Sequence, residues 1–186
     1  VRRLSITSLF TTLALAASAC HAKELRIDSN RSHADFGVRL LWVHTIGGRF
    51  TDMHGLVNLD RQKLATVDVQ IEINSVVMDS SRFRRWVLAP EFFDAQRHPV
   101  AHFLSDPVPF DRLASGGELD GRLSLRGVMH PIHLELLPAS CATTAACVIE
   151  ARGSVSRSDF GMISHGTSLS DQVKLDLMIA LEPTPD

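Results

Sequence analysis

Apolar residues recur at every second position through most of residues 23–182, and this regularity limits the fold more than any other feature. Val67, Val69, Ile71 and Ile73 alternate with Asp68, Gln70, Glu72 and Asn74. Leu119, Gly121, Leu123 and Leu125 alternate with Asp120, Arg122, Ser124 and Arg126. Ile132, Leu134 and Leu136 form a third ladder, and Val173, Leu175, Leu177, Ile179 and Leu181 a fourth. Phe36 with Val38, and Val57 with Leu59, are shorter copies. Successive side chains of a strand point to opposite faces, so this pattern predicts strands with one dry and one wet face. Such strands belong to antiparallel sheet. About eight of them fit beyond residue 22, closed as a sandwich or a barrel. Gly47-Gly48, Asp60-Arg61, Ser115-Gly116-Gly117 and His130-Pro131 read as the turns between runs.

One segment departs from period two. Asp79-Ser80-Ser81 supplies helix-capping side chains, and Phe83, Trp86 and Val87 then fall at helical spacing. Pro90 ends the helix, and Glu91-Phe92-Phe93-Asp94 makes a compact apolar turn. A short helix with an aromatic connection therefore interrupts the sheet.

The first 22 residues have their own grammar. Arg2 and Arg3 precede an uncharged stretch, Leu4 to Ala19, with small residues at Ala17, Ala19 and Ala22. This is the layout of a secretory signal peptide, and the apolar part is short for a membrane span. Cleavage after Ala22 or after Ala19 satisfies the small-residue rule; the latter would leave Cys20 first, available for a lipid anchor. The remainder, residues 23–186, reads as one domain. It keeps Cys141 and Cys147, an even pair suited to an oxidising compartment and read as a disulfide staple across a hairpin. Export points to the periplasm.

Composition excludes several classes. The net charge of −2 lacks the basic excess of a general nucleic-acid binder. The nine histidines invite a metal, but His130 and His133 fall on opposite faces of one strand, and Pro99 separates His98 from His102. No metal site and no cofactor are expected. Asp159-Phe160-Gly161 lacks the companion motifs of a kinase and reads as a tight turn, and no nucleophile elbow or phosphate loop occurs. The chain is therefore expected not to be an enzyme.

A set of local motifs follows in order: Phe36-Gly37-Val38, Gly48-Arg49-Phe50-Thr51-Asp52, Gly55, Asn74-Ser75, Pro90-Glu91-Phe92-Phe93-Asp94, His98-Pro99, Leu125-Arg126-Gly127-Val128 and Arg157-Ser158-Asp159-Phe160-Gly161. Together they resemble the YceI-like family of bacterial periplasmic proteins, over roughly residues 25–182. The resemblance implies an eight-stranded antiparallel lipocalin-like barrel with an elongated apolar lumen. It also implies polyisoprenoid, quinone or fatty-acid-like ligands, and no catalytic residues. The sequence departs from the family pattern at Arg31-Ser32 and Leu40, where relatives commonly carry histidines, and at His98, where a Tyr is common.

On closure as a barrel, Phe36, Val38, Phe50, Val57, Val69, Ile71, Ile73, Ala101, Phe103, Leu123, Leu134, Leu175 and Leu177 are expected to line the lumen. Gly55, Ala101 and Gly121 are expected to leave room in it. Phe83, Trp86, Phe92 and Phe93 are expected at its mouth, with Arg82, Arg84 and Arg85 available to an anionic head group. The expected function is to hold an isoprenoid or acyl-chain lipid, for carriage or sequestration. The alternative is a periplasmic interaction or stress scaffold whose barrel is filled by side chains. A homodimer stays open at this stage.

Overall fold

A computed structural model describes residues 23–41, 43–139 and 147–182. The expected signal segment, Cys20, Cys141 and the Pro183-Thr184-Pro185-Asp186 tail lie outside the described residues. The strands are β1 (Lys23–Arg26), β2 (His33–Leu40), β3 (His44–Phe50), β4 (Met53–Leu59), β5 (Leu64–Glu72) and β6 (Val76–Val77). They continue as β7 (Val100–Ser105), β8 (Val108–Pro109), β9 (Gly117–Leu125), β10 (Val128–Leu136), β11 (Val148–Ser156) and β12 (Leu169–Ala180). Helix α1 spans Ser81–Val87, and a second, unexpected helix, α2, spans Arg112–Ser115.

These twelve segments form eight continuous strands, because four of the strands are interrupted. β1 pairs β4 while β2 pairs β3; β4 pairs β5 while β3 pairs β6. β5 pairs both β7 and β8. So β1–β2, β3–β4, β5–β6 and β7–β8 are each one long strand. The ring continues β7–β9–β10–β11–β12 and closes where β12 pairs β2. All pairings are antiparallel. Side chains replace ladder bonds at one joint. The Ser75 hydroxyl donates to Glu72 O at 2.6 Å and accepts from Thr51 N–H at 3.2 Å, while the Thr51 hydroxyl donates to Ser75 O. Buried Ser32 closes the ring, accepting from Ala180 N–H at 3.0 Å.

Two expected turns lie inside strands. Gly47-Gly48 is in the middle of β3, and a Cβ on Gly48 would stand 2.6 Å from the Phe36 ring, so the missing side chain seats that ring. His130-Pro131 is within β10; the turn before it is Arg126-Gly127, both at positive φ. Proline is tolerated there because β10 pairs β11 only from Leu134 to Leu136, leaving no ladder with β11 at Pro131. Phe160, 1% exposed, packs edge-on to His130 beside this seam, with ring centroids 5.5 Å apart.

In an up-and-down barrel, alternate connections share an end. The β2–β3 turn, the α1 connection, the β9–β10 turn and the β11–β12 loop share one end. The β4–β5 turn and the α2 connection share the other.

Candidate functional site

The inward side chains do not fill the space between them. They enclose a cavity of about 150 Å³ with an almost wholly hydrocarbon wall. The wall runs the length of the barrel, from Leu119, Leu136 and Ile149 near the α2 end to Phe83, Trp86 and Phe92 at the α1 end. Leu123, Val173, Leu175 and Leu177 point inward and yet remain partly accessible, because their free surface faces this cavity.

All the residues expected in the lumen line the cavity except Val57. Val57 also points inward, but it lies cross-strand from Leu25, and neither side chain has any exposed surface. Two of the small residues do not make room. Gly121 yields its space to Phe103, whose ring lies 2.6 Å from where a Cβ would stand. Gly55, at φ +155°, brings β4 against the β5 backbone, since a Cβ there would lie 2.0 Å from Asp68 O. Only Ala101 adds to the void.

Helix α1 stands over one end of the cavity. The Ser80 hydroxyl accepts from Phe83 N–H at 3.5 Å and caps it. Phe83, Trp86 and Val87 then turn onto the cavity wall. The following turn presents Phe92 and Phe93; it is held by Phe92 N–H to Ala89 O and by buried Asp94, whose carboxylate meets Arg97 at 2.7 Å. The aromatics form two clusters. Phe36, Phe50 and Phe93 pack with centroids 5.4–5.9 Å apart. Trp86 meets Phe83, Phe92 and His165, the closest being Phe92 at 4.6 Å edge-on. Such pairs favour tilted or edge-to-face geometry, as here.

The three arginines expected at the mouth separate. Arg84 is tied to the backbone, its Nε donating to Val76 O and its Nη2 to Asn74 O, both at 2.8 Å, so it is a strut for α1. Arg82 and Arg85 stand exposed on α1, off the cavity wall. The cation that does reach the wall is Arg157, 4% exposed. Its Nε donates to Ser170 O at 3.1 Å, its Nη1 to Ser164 O at 2.7 Å and to Met162 O, and its Nη2 to Leu169 O at 3.4 Å. Carbonyl oxygens take four of its five hydrogens, and among the described residues no carboxylate pairs its charge. Period two carried the signal for it, because Val155 and Arg157 share a face; its charge disguised it. Arg126 lies nearby, its Nη1 about 3.9 Å from a Cβ on Gly161. Its Nη2 donates to Pro90 O, while Nε and Nη1 are buried without a partner.

The outer wall carries paired charges. Arg49 holds Asp35 through two hydrogen bonds, 2.6 and 2.7 Å, and this keeps the Asp35 carboxyl below its ordinary pKa. His102 meets Asp68 at 2.7 Å and His133 meets Asp120 at 2.6 Å on the outer face. Among the described residues, no group of three or more His, Cys, Asp or Glu side chains is placed to hold a metal.

A closed antiparallel barrel around an apolar chamber, with a helix and aromatics over one end, is a lipocalin-like barrel. The chain belongs to the YceI-like family, whose domain model matches residues 25–181. A UPF0312 protein of Pectobacterium atrosepticum is 30% identical over 136 residues, covering 71% of this chain and 69% of that one. Protein YceI of Salmonella agona is 26% identical over 180 residues, covering 91% and 92%. Among solved structures, Burkholderia cenocepacia BcnA superposes with a TM-score of 0.70 at 18% identity, covering 83% of this chain and 98% of that one. A polyisoprenoid-binding domain from Saccharophagus degradans, implicated in plant cell wall breakdown, gives 0.64 at 17% identity, covering 88% and 100%.

Proposed function

We propose that the protein is a carrier or sequestering protein for an amphiphile, with the apolar chain in the lumen and the polar head toward Arg157. The observation that carries this reading is the set of inward leucines and valines left accessible around an apolar void. At roughly 24 cal/mol per Å³, an empty chamber of this size costs about 3–4 kcal/mol. Burying about five methylenes, at about 0.8 kcal/mol each, offsets that cost. The volume matches a benzene-sized guest in a rigid wall. A longer chain therefore lies along the axis, shifting lining side chains or emerging past α1. The polyisoprenoid-binding domain among the structural relatives supports a chain-like guest. The activity is binding, with no chemical step assigned to any residue.

Export belongs to the same reading. The charged and apolar layout of residues 1–22 supports secretion to the periplasm, where Cys141 and Cys147 would pair. The test is native mass spectrometry of the purified protein, with solvent extraction of whatever it holds. One chain-bearing lipid per barrel is expected. A protein that comes away empty, with a crystallographic lumen filled by side chains, overturns the proposal in favour of a scaffold.

A further inference from the structure

β10 and β11 are each nine residues long, yet they pair at three positions only, Leu134 to Leu136 against Gly153 to Ala151. From Met129 to His133, and from Ser154 to Ser156, each strand keeps its other neighbour, β9 or β12, and has parted from the facing one. Leu137 N–H donates to Glu150 O, so the odd-numbered residues of this strand turn their backbone toward β11. Pro131 is one of them and has no N–H to offer, so the ladder cannot zip closed across it. The result is a notch in the barrel wall, running from Leu134 toward the α1 end.

The notch lies over the chamber. Ile132, Leu134 and Val155 line both the chamber and the cleft outside the notch, so one layer of side chains separates the two. The outer cleft is polar at its rim, with Asp120, His133, Arg152 and Lys174. The helical turn Arg157–Phe160 follows β11 directly, and Phe160, 1% exposed, closes the notch by packing on His130. Beside it, Arg126 reaches from the β9–β10 turn toward Gly161 with Nε and Nη1 buried and unpartnered. Charged donors without an acceptor raise the energy of the closed wall, and opening returns them to water.

We propose that the guest enters and leaves the chamber sideways through this notch, with Phe160 as the plug. The inference rests on the reading of the protein as an amphiphile carrier. Two routes compete. Passing α1 means parting the Phe36–Phe50–Phe93 cluster and the contacts of Trp86 with Phe92 and His165. Parting β10 from β11 at the notch breaks no ladder hydrogen bond and displaces one ring. A lateral slot also lets the polar head stay among the charged groups of the outer cleft while the hydrocarbon chain slides inside, so the head is not dragged along an apolar wall. Arg157, toward which the head is placed, begins the turn that flanks the slot.

The test is the release of bound cis-parinaric acid, a fluorescent fatty acid, into excess oleic acid, followed by stopped flow. Continuing the register places His133 opposite Ser154, both exposed on the outer face, so H133C/S154C can be joined by a disulfide at the root of the notch. The oxidised variant is expected to release the probe about tenfold more slowly than the same protein reduced, and Phe160→Leu about tenfold faster than wild type. A second measurement needs no guest. Val155→Cys, at the notch, is expected to react with a maleimide about tenfold faster than Leu177→Cys, which faces the chamber from a strand paired on both sides; the unsubstituted protein gives the background. Stapled protein that releases as fast as reduced protein overturns the proposal, and faster release from Trp86→Ala would then send the guest past α1. Equal labelling rates overturn it as well. Wild-type protein that takes up no probe overturns the carrier reading along with it.

Discussion

The two ends of the barrel are built on opposite terms. At the α2 end, Leu25, Val57, Leu113 and Leu181 are each at most 2% exposed and lie off the cavity wall. Toward the α1 end, Val38, Leu123, Val173 and Leu175 face a void, the loop tips are apolar, and the nearby arginines bind carbonyls in place of carboxylates. The same period-two pattern runs through both. One end spends its hydrophobic surface on stability, while the other keeps it available for a guest.

Truncation gives the most direct test of that contrast. Leu25→Ala, buried off the cavity wall, is expected to cost about 2–5 kcal/mol in denaturant unfolding, whereas Leu175→Ala, already beside a void, should cost about half as much. Equal losses would mean that the lumen is packed throughout. Filling the void tests the other side. Leu175→Trp should reduce guest binding at least tenfold, about 1.4 kcal/mol, while changing stability by less than that; a large loss of stability would show that there was no void to fill. A smaller effect concerns the kinked strands that set the barrel's shape. Ser75→Ala removes the hydroxyl shared by Glu72 and Thr51 and should lower stability by about 1 kcal/mol, with guest binding retained.

The smallest effect is on the outer wall. Asp35 is held below its ordinary pKa, so its pairing with Arg49 adds stability above the unfolded-state value of about 4 and loses it as pH falls through the folded value. The pair is largely solvent-exposed, so Asp35→Asn should cost only about 0.2–1 kcal/mol at pH 7 and nothing well below pH 3, as read from melting curves at the two pH values.

The barrel was legible because alternation states both strand and inner face, and the ladders at residues 67–73 and 173–181 needed nothing further. The joints were less so. Gly48 looks like a turn until the Phe36 ring is seen occupying its place, and Pro131 looks like a breaker until β11 is seen to have left β10. The chamber's volume was not legible at all. It depends on strand tilt and stagger, which periodicity does not encode, and on how rings such as Phe103 fold into the spaces glycines leave. Capping by Ser80 and the aromatic mouth could be read locally; the tethering of Arg84 to Val76 and Asn74 could not, because it depends on where β6 runs.

The short ladder between β10 and β11 has a consequence in time. Backbone amides held between two full ladders exchange their hydrogens only when the whole domain opens. Those bordering a gap exchange through local fluctuation. The half of β10 from Met129 to His133 borders such a gap, with Phe160 packed beside it. The ring is therefore expected to open there first, and hydrogen exchange faster at the β10 amides facing that gap than in the paired ladders would show it.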